Sequence, residues 1–245
     1  MLASEGLAGS GGARALPKTK GFTLIELAVV LLVIGLLLVG LLGPLRTQVE
    51  ARDRQRTQER LDEIRESIYG FASAYGRLPC PDTNGDGLEN KPGATCTAAQ
   101  GTLPFVNLGV PGLDAWGRRY VYRVDTAFAD DGPGGAAGCP MPAPPTTFNL
   151  CDNGGIQILD AAGGGSVANQ IPAVIVSHGA NKLPGTASAF NDERENDPDA
   201  GAVGTDATFV STDYRNNPAD EFDDLVTWIS PNILKARMVQ AGRLP

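Results

Sequence analysis

One carboxylate in an otherwise apolar run has more to explain than any other residue of this chain. From Phe22 to Leu45 the only ionisable side chain is Glu26. A charge at membrane depth costs up to about 3 kcal/mol near the bilayer centre, less near an end, and it needs a partner of opposite sign. A second pattern is rich in oxygen. In CPDTNGDGLEN, residues 80–90, Asp82, Asn84, Asp86 and Gly87 match the first half of a calcium loop, where oxygens occupy positions 1, 3 and 5 and glycine turns the chain at 6. The twelfth position, which needs a bidentate Glu, is Gly93, and no helix pattern leads into the loop. A disulfide-clamped turn is therefore the first reading of this stretch, and calcium at Asp82, Asn84 and Asp86 the second.

Cysteine chemistry is the third candidate. Cys80 with Cys96 and Cys139 with Cys151 form local pairs, none of them a C-x-x-C, and the single histidine cannot complete a Cys/His zinc set. Disulfides in an oxidising compartment follow, with other pairings open because four cysteines allow three connectivities. Ser177 beside His178 invites a hydrolase reading. Adjacent strand residues point to opposite faces, however, and the chain has no G-x-S-x-G elbow and no metal-ligand cluster, so His178 is expected to be structural.

These residues need elements to hold them. At about 1.5 Å per residue, Phe22 to Leu45 extends for about 36 Å, enough to cross a hydrocarbon core. Arg14, Lys18 and Lys20 outweigh Glu5 before it, which keeps that end in the cytoplasm and places everything after Leu45 outside. A cleaved secretory signal should have a shorter apolar core and an A-x-A site, which does not follow Leu45. Gly35, Gly40, Gly43 and Pro44 permit close helix approach and predict a kink or a locally melted turn near residues 40–44.

Beyond the span, Leu61, Ile64, Ile68, Phe71 or Ala72, and Tyr75 recur at helical spacing, opposite a mixed-sign face of Glu59, Arg60, Asp62, Glu63, Arg65 and Glu66. Gly76 and Pro79 end this helix, whose apolar stripe fits one face of a core. In DAWGRRYVYRVD, residues 114–125, a turn precedes a two-faced strand in which Tyr120, Tyr122 and Val124 alternate with Arg119, Val121 and Arg123. Further strands are expected at Gly155–Asp160 and Pro172–Ser177, with a loop excursion over 130–154. Ser230, Pro231 and Gly242 bracket a short C-terminal helix. With 245 residues, 42% of them hydrophobic and 20% charged, the chain suits one folded domain.

The net charge of −8 becomes more negative if residues 1–21 are removed, and no basic stripe offsets it. Phosphate neutralisation underlies nucleic-acid affinity, so a nucleic-acid partner is not expected.

The stretch Lys20-Gly21-Phe22-Thr23-Leu24-Ile25-Glu26-Leu27 resembles the N-terminal signature of type IV pilins and type II secretion pseudopilins. That resemblance implies cleavage between Gly21 and Phe22 by a prepilin peptidase, methylation of the new amine, and a role for Glu26 in assembly. It also accounts for the buried charge, since Glu26 of one subunit can pair with the Phe22 amine of a neighbour and set the axial register. Asp114-Ala115-Trp116-Gly117 with Tyr120 and Tyr122 is similar to the D-P-W-G-x-x-Y-x-Y segment of major pseudopilins, with Ala115 in place of Pro. Ser177-His178-Gly179-Ala180-Asn181 and Asp224-Leu225-Val226-Thr227-Trp228 look like the S-x-G-x-D and D-I-x-x-W segments that frame that subfamily's calcium loop. Asn181 replaces an aspartate, and the insertion NDERENDPDAGAVGTD intervenes. The resemblance makes Asp224 the first candidate calcium ligand, with Asn181 and Asp223 behind it and oxygens of Ser177 and Leu183 in support; an ion-free acidic loop is the alternative.

The expected fold is α+β. A long N-terminal helix, half transmembrane and half amphipathic, packs on a small antiparallel sheet with loop insertions and a short C-terminal helix. The expected divisions are a leader at 1–21, a transmembrane and assembly helix at 22–45, its amphipathic continuation at 46–78 and a periplasmic globular domain at 79–245. The expected function is structural: a minor or variant subunit of a type IV pilus or type II secretion pseudopilus. Its partners would be prepilin peptidase, other pilin subunits, an inner-membrane assembly platform and the lipid bilayer. The alternative is a membrane-tethered periplasmic enzyme or ligand-binding domain, with an uncut N-terminus and no need for Glu26.

Overall fold

A computed structural model describes residues 21–131, 146–181, 191–197, 207–217 and 219–245, without the side chains of 38–46. Residues 1–20 of the expected leader, Cys139 and Leu183 lie outside the described residues, as do parts of the 130–154 loop and of the acidic insertion. The chain divides into two compact units, Met1–Thr47 and Gln48–Pro245.

Helix α1 is Leu24–Tyr75. The melted turn expected near 40–44 does not occur, because those residues are helical. Pro44 removes a single backbone donor from the helix, which continues through it. Every described side chain from Gly21 to Leu37 is exposed, Leu24 at 89% and Ile25 at 74%. Among the described residues no helix is long and apolar enough to cross a membrane. The expected span, Phe22 to Leu45, falls partly outside them, since the side chains of 38–46 are not described.

In the second unit the helical stripe does what its spacing predicts as far as Ala72, whereas Tyr75, at the helix end, is 61% exposed and stacks on Phe71 instead of entering the core. Leu61, Ile64, Ile68, Phe71 and Ala72 are buried against Tyr120, Tyr122, Val124, Ala173 and Ile175. Gly76, at φ 76°, provides the left-handed residue that stops α1. Arg243, from the chain's end, donates to the carbonyls of Ser73 and Ala74 and so caps a last turn that carries no basic residue of its own.

The remaining elements are β1 (Gln100–Thr102), α2 (Phe105–Leu108), β2 (Val121–Val124), a 3₁₀ turn at Thr126–Phe128, β3 (Ile156–Leu159), β4 (Ser166–Ile171), β5 (Ala173–Ser177), α3 (Asn191–Asn196), β6 (Thr208–Val210), β7 (Leu225–Trp228) and α4 (Pro231–Gln240). Strands β1-β2-β5-β7 form an antiparallel sheet, in which Val121 pairs with Val176 and Ser177 with Leu225. The expected strands at 155–160 and 172–177 are β3 and β5.

The single sheet expected from the sequence is only part of the fold. Strands β4-β3-β6 form a second sheet, and its β3–β6 pair is parallel. Strand β5 is buried on both faces: Ala173 and Ile175 meet α1, while Val174 and Val176 meet Ile156, Ile158 and Phe209 of the second sheet. A strand buried on both faces reads as a continuous apolar run, AVIVS, and therefore needs a layer on each side. Helix α4 completes the first core with Leu234 and Met238.

Candidate functional site

The start of α1 is built by Thr23. Its hydroxyl accepts the Glu26 backbone N–H at 3.3 Å, and its carbonyl accepts the Leu27 N–H at 3.1 Å. This is half of a capping box, with Thr23 as N-cap and Glu26 at N3. The T-x-x-E spacing was available in the sequence, but Glu26 was read there for its charge alone. Its exposed side chain lies in the first turn of the helix, where the dipole suits an acidic residue. Among the described residues nothing covers this apolar segment.

A second site lies where the two sheets meet α3. Glu193 of α3 joins Asp223 and Asp224, which immediately precede β7, and all three are buried with ligand oxygens within 4.8 Å of one another. The S-x-G-x-D-like segment forms the facing wall. Ala180 and Asn181 donate their backbone N–H groups to Asp223 Oδ2 at 2.6 and 2.9 Å. Gly179, at φ 54°, is where this wall passes closest: a Cβ there would meet Asp223 Cγ at 2.5 Å. Arg118 holds the same wall from behind, donating to the carbonyls of His178 and Ala180 at 3.2 and 2.6 Å.

Asp224, the first candidate in the sequence, has both oxygens engaged. Oδ1 lies 3.2 Å from His178 Nδ1, and Oδ2 accepts Asn196 Nδ2 at 2.9 Å. Asn196 also bonds both backbone groups of Val210 and thereby clips α3 to β6. The open oxygens are elsewhere. Asp223 Oδ1, Glu193 Oε2 and Asn181 Oδ1 are buried and have no hydrogen-bond partner among the described residues. Glu193 was not singled out from the sequence, where it belongs to an insertion that looked like a solvated acidic loop.

Electrostatics follow from this crowding. Burial first, and then the Asp224 and Asp223 carboxylates, push Glu193 up to about 8, although the Asp223 N–H opposes the shift. Burial, with Asp224 and Glu221 adding to it, raises Asp223 to about 6. The clustered carboxylates of Glu193, Asp223 and Asp224, two of them with a buried oxygen that lacks a donor, fit a hard cation such as calcium, which takes carboxylate and amide oxygens alike.

The other candidates take different forms. Asp82 is buried and its carboxylate accepts the N–H groups of Asn84, Gly85 and Gly87 and the Thr102 hydroxyl, so the 82–87 loop is closed by its own hydrogen bonds. Asn84 and Asp86 bond each other across the same turn. Cys80 and Cys96 form a disulfide, and Cys151 is also disulfide-bonded. Ser177 and His178 have separate partners: the Ser177 hydroxyl donates to Asp114 Oδ2 at 2.7 Å, and the histidine faces Asp224.

Comparison with known proteins adds one finding to this geometry. Residues 16–42 match the prokaryotic N-terminal methylation motif, the signature of type IV pilins and pseudopilins. The motif ends inside α1 and begins just before its Thr23 cap, and it points to a pilin-like structural subunit rather than an enzyme. No curated protein and no solved structure matches the chain.

Proposed function

We propose that this chain is a minor or variant subunit of a type IV pilus or type II secretion pseudopilus. It is made as a precursor, cut after Gly21 and methylated at Phe22 by prepilin peptidase. Phe22 to Leu45 then holds it in the inner membrane, with the globular unit in the periplasm, until an assembly platform packs that helix among those of other subunits. Glu26 pairs with the Phe22 amine of a neighbour and sets the register.

The observation that carries this reading is the methylation motif at the head of a helix whose described side chains, from Gly21 to Leu37, are exposed and apolar apart from Thr23 and Glu26. Glu26→Gln tests the registry role cleanly. Glutamine also suits the N3 position of a capping box, so the helix start survives while the charge goes. Processing at Gly21 is expected to continue and incorporation into filaments to fail. Normal incorporation at native expression levels would remove the role assigned to Glu26.

We further propose that Glu193, Asp223 and Asn181 hold a calcium ion, with Asp224 kept in place by His178 and Asn196. The ion would supply positive charge for buried oxygens that otherwise lack donors. A calcium titration followed by isothermal calorimetry on wild type and Glu193→Gln tests this: the variant is expected to bind at least about 10-fold more weakly.

A further inference from the structure

Asp223 ties the carboxylate cluster to the long helix. Its carbonyl accepts Arg54 Nη1 of α1 at 3.1 Å, its N–H donates to Glu193 Oε1 at 2.9 Å, and its carboxylate holds the 180–181 wall. The Arg54 guanidinium lies 4.1 Å from the centroid of the Tyr214 ring, and the Tyr214 hydroxyl donates to Glu50, one turn earlier on α1. Two positions on one face of α1 are thus fastened to the segment that leads into β7, at Tyr214 and at Asp223. One of those fastenings is the peptide oxygen of a cluster residue.

We infer that cation occupancy of the Glu193–Asp223 cluster is transmitted to residues 48–57 of α1 through Arg54, which acts as a positioning residue for the site. The inference rests on the calcium reading above. A cation held by Glu193 and Asp223 supplies the positive charge that their buried, donor-free oxygens lack, and so favours the arrangement of Asp223 seen here. The Arg54 hydrogen bond needs the Asp223 carbonyl in that same arrangement. Whatever holds Asp223 therefore also holds the helix, and the reverse follows by linkage: removing Arg54 weakens the cation by the same factor by which the cation strengthens the Arg54 contact. The globular unit would in this way read the divalent-cation level and set the order of the helical stretch that follows the apolar head.

The test uses the full chain in detergent, with calcium chloride as the probe and magnesium chloride as the control. Amide hydrogen exchange is followed at 48–57 and at 178–181, and calcium affinity is measured by calorimetry. In wild type, calcium is expected to slow exchange about 10-fold or more in both segments. Arg54→Ala is expected to bind calcium about 5- to 10-fold more weakly and to keep fast exchange at 48–57 while 178–181 is still protected, and Arg54→Lys to recover part of both effects. Protection of 178–181 without protection of 48–57 in wild type would overturn this inference and leave the calcium site standing. So would an Arg54→Ala chain with unchanged affinity and equally raised exchange in both calcium states, the mark of a purely structural arginine. No calcium binding by wild type would overturn both readings together.

Discussion

The Ser177 hydroxyl donates to Asp114 Oδ2 at 2.7 Å, joining two segments that lie 63 positions apart in the chain. Asp114 also accepts the N–H groups of Trp116 and Arg118 on its other oxygen. The D-A-W-G turn and the start of the S-H-G-A-N wall are therefore one buried polar unit, and Arg118, emerging from that turn, supports the wall beside the carboxylate cluster.

Asp114→Ala leaves a buried hydroxyl and two backbone donors without their acceptor. Each orphaned buried group costs about 1–3 kcal/mol, so a loss of about 3 kcal/mol or more is expected, against about 1 kcal/mol for Ser177→Ala. Denaturant unfolding of both variants measures it. Equal, small losses would mean that the turn is held by something other than this carboxylate.

Gly179→Ala tests whether the ion sits against the 179–181 wall. The added Cβ meets Asp223 at a distance real Cβ atoms do not adopt, and the left-handed φ adds strain of about 1 kcal/mol. The same Cβ meets the Asp223 backbone carbonyl at 2.5 Å, so thermal stability in chelator is expected to fall clearly and the extra stabilisation given by calcium to disappear. Full calcium stabilisation in this variant would place the ion away from Asp223.

The carboxylate cluster gives the cation-free chain an unusual pH response. Glu193 rises from its ordinary 4.5 to about 8, and Asp223 from 3.8 to about 6. A folded-state pKa raised above the unfolded value contributes stability that is complete below the unfolded value and is lost as pH rises through the folded one. Melting temperature in chelator is therefore expected to decline between about pH 5 and pH 8 through these groups, and saturating calcium, which favours the ionised form, to flatten that decline. Glu193→Gln should flatten it without calcium. A decline unchanged by both treatments would locate its cause outside the cluster.

The Cys80–Cys96 disulfide closes a loop of sequence separation 16, for which the chain-entropy account gives about 3 kcal/mol. The loop has other supports: Glu89 pairs with Arg77 through two hydrogen bonds of 2.7 Å and accepts the Cys80 N–H at 3.0 Å. Burial raises the Glu89 carboxyl, but Arg77 and that N–H more than reverse this and hold it below the usual range. A Cys80→Ser/Cys96→Ser chain is accordingly expected to lose about 3 kcal/mol yet remain folded at 25 °C, as monitored by urea unfolding. Complete unfolding would show that the disulfide, rather than the helix–sheet core, determines the fold.

What could be read from the sequence was mostly local. The stripe Leu61, Ile64, Ile68 appears directly as helical spacing, the alternation of Tyr120, Val121 and Tyr122 as a strand with two faces, and Ser230-Pro231 as a helix start. What could not be read depends on distant pairing. Strand β6 runs parallel to β3, so Ile158 meets Phe209 only after a long crossover, and no nearby turn announces it. Strand β4 is mostly exposed, with only Ile171 buried, and SVANQI carries no alternation to mark it. Glu193 was missed for a similar reason. In NDEREN it looks like any acidic loop residue, and only its burial beside Asp223 distinguishes it.

The central claim is that the N-terminal motif is used, and the state of the N-terminus tests it most directly. Intact mass and N-terminal sequencing of the native, membrane-extracted protein are expected to give a chain that begins at N-methylated Phe22. A chain that retains Met1 in cells with an active prepilin peptidase would contradict the claim, and would make the membrane-tethered domain the reading to pursue.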